Sequence, residues 1–341
     1  MERSSQSRSG WGGVAPDVGA WAGLVLGMVL MLASAFLFTN AMEWAGGRMG
    51  LGHAATGGVL AAIGTALPES VVPVVALIHG GSAANRTAIG AILGAPFMLA
   101  TLGLALTALF ALVSGRRNLR VGGPEARGPL YTFLASYVLL MLGAFAPRPV
   151  RILDAVLLVG LYLVYVRRSL RRPPGEGEPE APHLLLARRG GGGSALGVGQ
   201  GLLGVAGLTV ASELFVSGLE GAAPALHLSA LALALILVPV ATELPELVAG
   251  GLWVLHGRDG LALGNVTGAM VFQATVPALV GLCFTSWNPE GVGFLAAAVT
   301  LSAALLALAA STRTGVRALV LLPSGAGLYA LYVLAVALGR S

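Results

Sequence analysis

The 341-residue chain is 56% hydrophobic and only 10% charged, with a mean hydropathy of +0.85. That balance excludes a soluble globular domain and describes an integral membrane protein. All 20 basic residues are arginine, and the net charge of +5 would suit nucleic acid, but the arginines fall between apolar segments, where bilayer orientation accounts for them. The single cysteine, Cys283, excludes an intrachain disulfide and a cysteine metal cluster.

Residues 1–20 form a polar, glycine-rich tail, and the apolar run after it is long enough to stay as a span, so no cleaved signal peptide is expected. A spanning helix needs roughly 20 apolar residues. On that criterion ten candidates follow in order: 21–45, 54–79, 88–113, 129–146, 150–167, 196–222, 229–256, 261–284, 292–311 and 316–338. Between the fifth and sixth lies a segment rich in Arg, Pro, Gly and Glu, which reads as a solvent-exposed linker unable to bury a core. The expected organisation is an all-α membrane protein: a tail, five spans over 21–167, a linker over 168–195, and five more spans over 196–341.

Arginine placement sets the orientation. With the linker cytoplasmic, fourteen arginines fall on the inner side and six (Arg3, Arg8, Arg86, Arg148, Arg151, Arg340) on the outer. Five spans per half then force the second half to enter the membrane upside down relative to the first. The multi-pass chain is expected in the cell membrane.

The halves also match in sequence. An offset of 177 superimposes GTALPE (64–69) on ATELPE (241–246), pairing Thr65 with Thr242, Pro68 with Pro245 and Glu69 with Glu246. It also pairs Glu43 with Glu220 and His79-Gly80 with His256-Gly257. After a three-residue shift, Gly90 and Gly94 pair with Gly264 and Gly268. An inverted repeat with interrupted helices is the pattern of secondary transporters, whose ion site lies near the midplane where the halves meet.

The acid in these motifs needs a partner. A carboxylate at a helix centre costs roughly 2.5–3.5 kcal/mol on insertion scales, and Glu69, Glu243 and Glu246 all lie in apolar runs. Protons or a cation would neutralise them. Proline has no N–H, so Pro68 and Pro245 leave the carbonyls of Gly64 and Ala241 available. Thr65 and Thr242 lie one turn before their glutamates and add hydroxyl oxygens. Such an all-oxygen set suits Ca²⁺ or Na⁺ rather than Zn²⁺ or Cu²⁺.

GTALPE with the later AIGAILGA, and ATELPE with the later LALGNVTGA, resemble the paired alpha repeats of the sodium/calcium exchanger branch of the calcium/cation antiporter superfamily. The resemblance covers most of the chain and implies a Ca²⁺ antiporter working by alternating access, with Na⁺ or H⁺ as counter-ion. No cofactor is implied beyond the transported ions, and no partner beyond them and the lipid bilayer. It carries ion binding over to Glu69, Glu246, Thr65 and Thr242, and backbone-oxygen sodium ligation to Ala62 and Pro239. The departures are informative. Where the family reads G-N-x-x-G-S and then a polar residue four positions on, this chain has Ala91, Ala95 and Leu99 in one half, and in the other keeps Asn265 but has Ala269 and then Gln273. Glu243 replaces a small residue, and its repulsion with Glu246 would raise one of the two pKa values and favour a proton as counter-ion; a structural hydrogen bond is the alternative.

Other ionisable residues have plainer readings. Glu213 lies opposite Phe36 of the other half and either lines an access path or is hydrogen-bonded locally. Glu43 and Glu220 sit where snorkelling accounts for them, and Asp154 is placed for a local ion pair with Arg151. His79 and His256 suit helix C-termini, with pH sensing as the sharper alternative. Beside Ca²⁺/Na⁺ exchange stand a proton-coupled carrier of Ca²⁺ or another cation, an intramembrane hydrolase using paired carboxylates, and a relic that no longer transports. The hydrolase lacks GxGD-like and HExxH sequences, so an enzyme is not expected.

Overall fold

The computed structural model describes residues 18–48, 67–170, 183–187, 193–226 and 228–339. The described chain is nearly all helix. The first half runs α1 (Val18–Arg48), α2 (Leu67–His79), α3 (Gly81–Met98), a π-helical turn (Leu99–Gly103), α4 (Leu104–Val113), α5 (Gly123–Leu142) and α6 (Arg148–Leu170). The second runs α7 (Ser194–Leu226), α8 (Ala230–Leu255), α9 (Asp259–Gln273), α10 (Val276–Phe284), α11 (Glu290–Ala310) and α12 (Ala318–Gly339). Eight helical segments among the described residues are long and apolar enough to cross a membrane; two further apolar stretches, Glu69–His79 and Ala230–Glu243, are shorter. Part of the expected span 54–79 lies outside the described residues.

Local chemistry explains the breaks. Gly80 and Gly81, at φ 76° and 89°, make the turn between α2 and α3, and Gly257, at φ 76°, follows the C-cap His256 of α8; glycine is the residue that enters this region without a Cβ clash. The Ser229 hydroxyl caps α8 by accepting from the Ala232 N–H at 3.1 Å. Residues Val316–Arg317, expected inside the last span, instead pair as a short antiparallel strand with Asn118–Leu119.

Two hydrophobic cores form. The larger is built from α3 to α6, the π turn and α8 to α12; the smaller joins α1, α2 and α7 to one face of α3 and α8. Backbone contact drives α1 against α7: a Cβ on Gly27 would lie 2.7 Å from Phe215 N, and one on Gly218 would lie 2.5 Å from Leu24 N. Small residues permit such approach in membranes, where packing rather than hydrophobicity joins helices.

The loops gather into two sets. At one end Arg116 donates to both oxygens of the buried Asp259 carboxylate (2.5 and 2.6 Å) and to Val254 O, Arg120 N donates to Asp259, and Arg127 donates to Ser311 O. At the other, Arg86 pairs with Glu290 (2.8 Å), Asn85 donates to Ser286 Oγ and Arg151 to Ser286 O. The expected Asp154–Arg151 pair is absent from the ion pairs of the described residues; the Arg151 head is turned to the Ser286 carbonyl instead. Part of the expected exposed linker is docked: Leu184 is buried, Leu185 N donates to Asn40 Oδ1, and Leu186 N donates to Gln200 Oε1. Of its three consecutive leucines only Leu184 is buried, so that side chain and the two backbone hydrogen bonds hold the turn.

Candidate functional site

Glu69 occupies the first turn of α2 as described and is 1% exposed. Glu243 lies on α8 and is 0% exposed. α8 packs against both α2 and α9, so it links the two helices that carry the remaining described candidates. At the end of α9, the buried Gln273 donates through Nε2 to Glu243 Oε1 at 2.6 Å. The amide oxygen of Gln273 is also buried and meets no hydrogen-bond donor among the described residues. One helix terminus therefore grips a buried carboxylate and offers a hard oxygen beside it, in the place a cation would satisfy.

Thr242 is buried, and its hydroxyl donates to Val238 O at 3.2 Å, which leaves its lone pairs available. Pro239 and Ala241 are buried on the same helix. Glu246 also lies on α8, but its side chain falls outside the described part, as do Ala62, Gly64 and Thr65 altogether. Helix α8 itself runs unbroken past Pro239 and Pro245, so the expected interruption is not in this helix. A proline removes one backbone bond, and packing on both sides can carry a helix through that loss.

The interruptions occur in the helices opposite. The π turn Leu99–Gly103 divides α3 from α4, and residues 274–275 divide α9 from α10. Each break holds a buried threonine bonded back to its own helix: Thr101 Oγ1 donates to Phe97 O at 2.6 Å, and Thr275 Oγ1 donates to Val271 O at 2.7 Å. The two are 174 residues apart, the offset that pairs Gly90 with Gly264. Sequence reasoning missed them, although that offset would have found them. At the paired position, Leu99 is buried where Gln273 stands in the other half, and its side chain reaches the Gly103 position that Leu247 and Val266 also approach. Among the described residues, the carboxylate–amide pair of α8 and α9 thus has no counterpart at position 99, where the first half places a leucine.

Gly90 and Gly94 hold α3 against α8. A Cβ on Gly94 would lie 2.5 Å from Leu235 O and 2.8 Å from Pro239 Cγ, and one on Gly90 would lie 2.5 Å from Leu231 O. Leu235 O is the carbonyl that Pro239 cannot bond, so α3 seals the place where α8 lacks an internal donor. Ala91 and Ala95 on the same helix are buried without polar atoms. Among the described residues no group of three His, Cys, Asp or Glu side chains could hold a metal in the manner of a resident metal centre.

The family described as "Sodium/calcium exchanger protein" matches residues 19–171 and 196–338. A protein of Alkalimonas amylolytica with the provisional name antiporter CaxA is 38% identical over 80 residues, which is 24% of this chain and 25% of that protein, so the match spans about a quarter of the relative. Among solved structures, an H⁺/Ca²⁺ exchanger CAX aligns with a TM-score of 0.70 at 20% identity, over 93% of this chain and 81% of that one. The sodium-calcium exchanger NCX_Mj, solved in Na⁺ and Ca²⁺ soaks, aligns with a TM-score of 0.57 at 22% identity, over 94% and 98%.

Proposed function

The chain belongs to the sodium/calcium exchanger family and is a multi-pass membrane transporter rather than an enzyme; we propose that it exchanges Ca²⁺ for protons at a site between two oppositely oriented halves. The observation that carries this reading is the buried Gln273–Glu243 pair with its open amide oxygen, in a membrane interior that also buries Glu69. Glu69 and Glu246 supply the principal charge for Ca²⁺. Thr65, Thr242, Gln273 and the carbonyls near Gly64 and Ala241 complete an oxygen shell.

Several features support two inverted five-helix halves. The helix order repeats, with the long α1 answered by α7 and the interrupted α3–α4 answered by α9–α10. The loops expected on one membrane side are the ones joined to each other, from Arg116–Asp259 to Arg86–Glu290. Alternating access then needs the α1/α7 pair, cored apart from most of the bundle, to shift past a fixed carboxylate site.

The counter-ion follows from what surrounds the carboxylates. Alanines at 91, 95 and 269 and leucine at 99 remove the oxygens that sodium would use, whereas Glu243 adds a proton acceptor. Sodium is the second reading, favoured by Gln273 and Thr242 as surviving oxygen ligands. In proteoliposomes, ⁴⁵Ca²⁺ uptake should follow an outward H⁺ gradient and ignore an outward Na⁺ gradient. Glu69→Gln and Glu246→Gln should each abolish it. Uptake driven equally well by neither gradient, or normal rates in either variant, would remove the assignment.

A further inference from the structure

Away from the buried carboxylates, the last residue of α2 makes a contact whose proton count is informative. His79 Nδ1 lies 3.0 Å from Val75 O, and a carbonyl only accepts, so Nδ1 carries a hydrogen. The other ring nitrogen lies 2.9 Å from Glu213 Oε1 on α7. A bare Nε2 lone pair would repel a carboxylate there. Both contacts are hydrogen bonds at once only when the pair holds one proton beyond the neutral imidazole and the ionised carboxylate, on the ring or on the acid.

The surroundings form a built cluster. Glu213, Ser217 and Glu220 recur at i, i+4 and i+7, on one face of α7. Ser217 Oγ lies 3.5 Å from His79 Nε2, and Glu220 follows on the same face with a carboxylate oxygen that is buried and meets no hydrogen-bond donor among the described residues. Of the other elements packed on α2, α3 carries Arg86, which is committed to Glu290; α1, α8 and α10 place no charged group in ion-pair reach of the ring among the described residues.

Comparison of the halves separates this cluster from ordinary helix capping. His256, paired with His79 in the sequence offset, makes the same bond, Nδ1 to Leu252 O at 2.7 Å. Its would-be acid is Phe36, however, and the residue matching Ser217 is Asn40, which is engaged with the 183–187 turn. The histidine cap is common to both halves, and Glu220 has its sequence counterpart in Glu43; the acid at the Glu213 position is present in one. In a transporter whose two halves exchange conformations, a contact made in one half alone stabilises one access state over the other.

We propose that His79, Glu213 and Glu220 form a proton-binding site, distinct from the buried carboxylates, whose occupancy latches α7 onto α2. With the proton bound, imidazolium and carboxylate hold the helices together. When that proton is lost at higher pH, the latch opens. The α1/α7 pair is then free to leave this position.

The test reads geometry rather than transport. Spin labels at Ser82 and Leu226, both exposed, in a Cys283→Ser background report the α2/α3 end against the α7 end in the reconstituted full chain. One short distance is expected at about pH 5.5 and a longer or broader distribution at about pH 8.5. His79→Gln and Glu213→Gln should each give the same distribution at both pH values. Because the Glu213 side chain is more than half exposed, its substitution keeps the test open if His79→Gln fails to fold. A pH-independent distance in the parent protein, or an unchanged pH response in both variants, overturns the latch. No transported ion is needed, so this result stands apart from the Ca²⁺/H⁺ reading.

Discussion

Gln273 donates its amide N–H to Glu243 across 2.6 Å, joining the end of α9 to the middle of α8 with both side chains buried. The link answers the question raised by an added carboxylate beside Leu-Pro-Glu: Glu243 has a dedicated polar partner rather than a solvent path. The amide oxygen of the same glutamine is buried beside it and meets no hydrogen-bond donor among the described residues.

Removing that partner separates structural from ionic roles. Gln273→Leu should leave a buried carboxylate short of a charge-assisted bond, costing about 1.5–3 kcal/mol, seen as a lower melting temperature in detergent. Glu243→Gln keeps a hydrogen-bonding pair while removing the charge, so its stability should be near that of the parent while its uptake loses pH dependence. Equal, unaltered pH profiles in both variants would make the pair purely structural.

The glycine contact predicts a steep and local effect. Gly94→Ala drives a methyl group into Leu235 O and Pro239, which are backbone and ring atoms with little room to move. Overpacking of this kind costs about 1–3 kcal/mol. Gly160→Ala, where nothing stands within 4 Å, is the control and should melt with the parent. A Gly94→Ala protein with unchanged melting would mean that α3 and α8 are farther apart than described.

Much of this arrangement was legible in the sequence because membrane helices announce themselves by length and hydropathy, and because the repeat carries Thr, Leu, Pro and Glu at fixed spacing. The helices from α5 to α12 begin and end within about six residues of the expected spans, α9 and α10 together filling the one expected over 261–284. Other features were hidden for physical reasons. Leu184 to Leu186 read as linker because Pro, Gly and Glu dominate the composition around them. The π turn at Leu99–Gly103 leaves no mark in hydropathy. The proline in LPE drew the expected interruption onto α8, whereas the breaks lie at Thr101 and Thr275, whose hydroxyls donate to carbonyls of their own helices. His79–Glu213 is invisible to local reading, being set by how α7 lies on α2.

Sidedness is open to direct measurement. Single cysteines at Ser82 and Ser194, in the Cys283→Ser background, should react with a membrane-impermeant maleimide from opposite sides of an oriented vesicle. Ser194 should react from the arginine-rich, cytoplasmic side. Labelling of both from one side would contradict the inverted arrangement, because these positions precede the third and sixth expected spans.

Two ion pairs at the opposite ends of the bundle should differ sharply in weight. Asp259 is wholly buried and accepts from Arg116 and from the Arg120 N–H, and Arg116 also reaches the Val254 carbonyl, so this pair ties the end of α4 to the turn between α8 and α9. Asp259→Ala leaves the Arg116 head and a backbone N–H without their acceptor, and breaking a buried pair in this way costs about 3–5 kcal/mol. Arg86–Glu290 is half exposed at 2.8 Å, and exposed pairs contribute about 0–1 kcal/mol. Thermal melts of Asp259→Ala and Glu290→Ala should therefore separate widely, with the second near the parent and weakly salt-dependent. Comparable losses would mean that the Glu290 carboxylate also anchors the strained turn that it ends, at φ 53°, and that this turn rather than the ion pair holds α11 to α3.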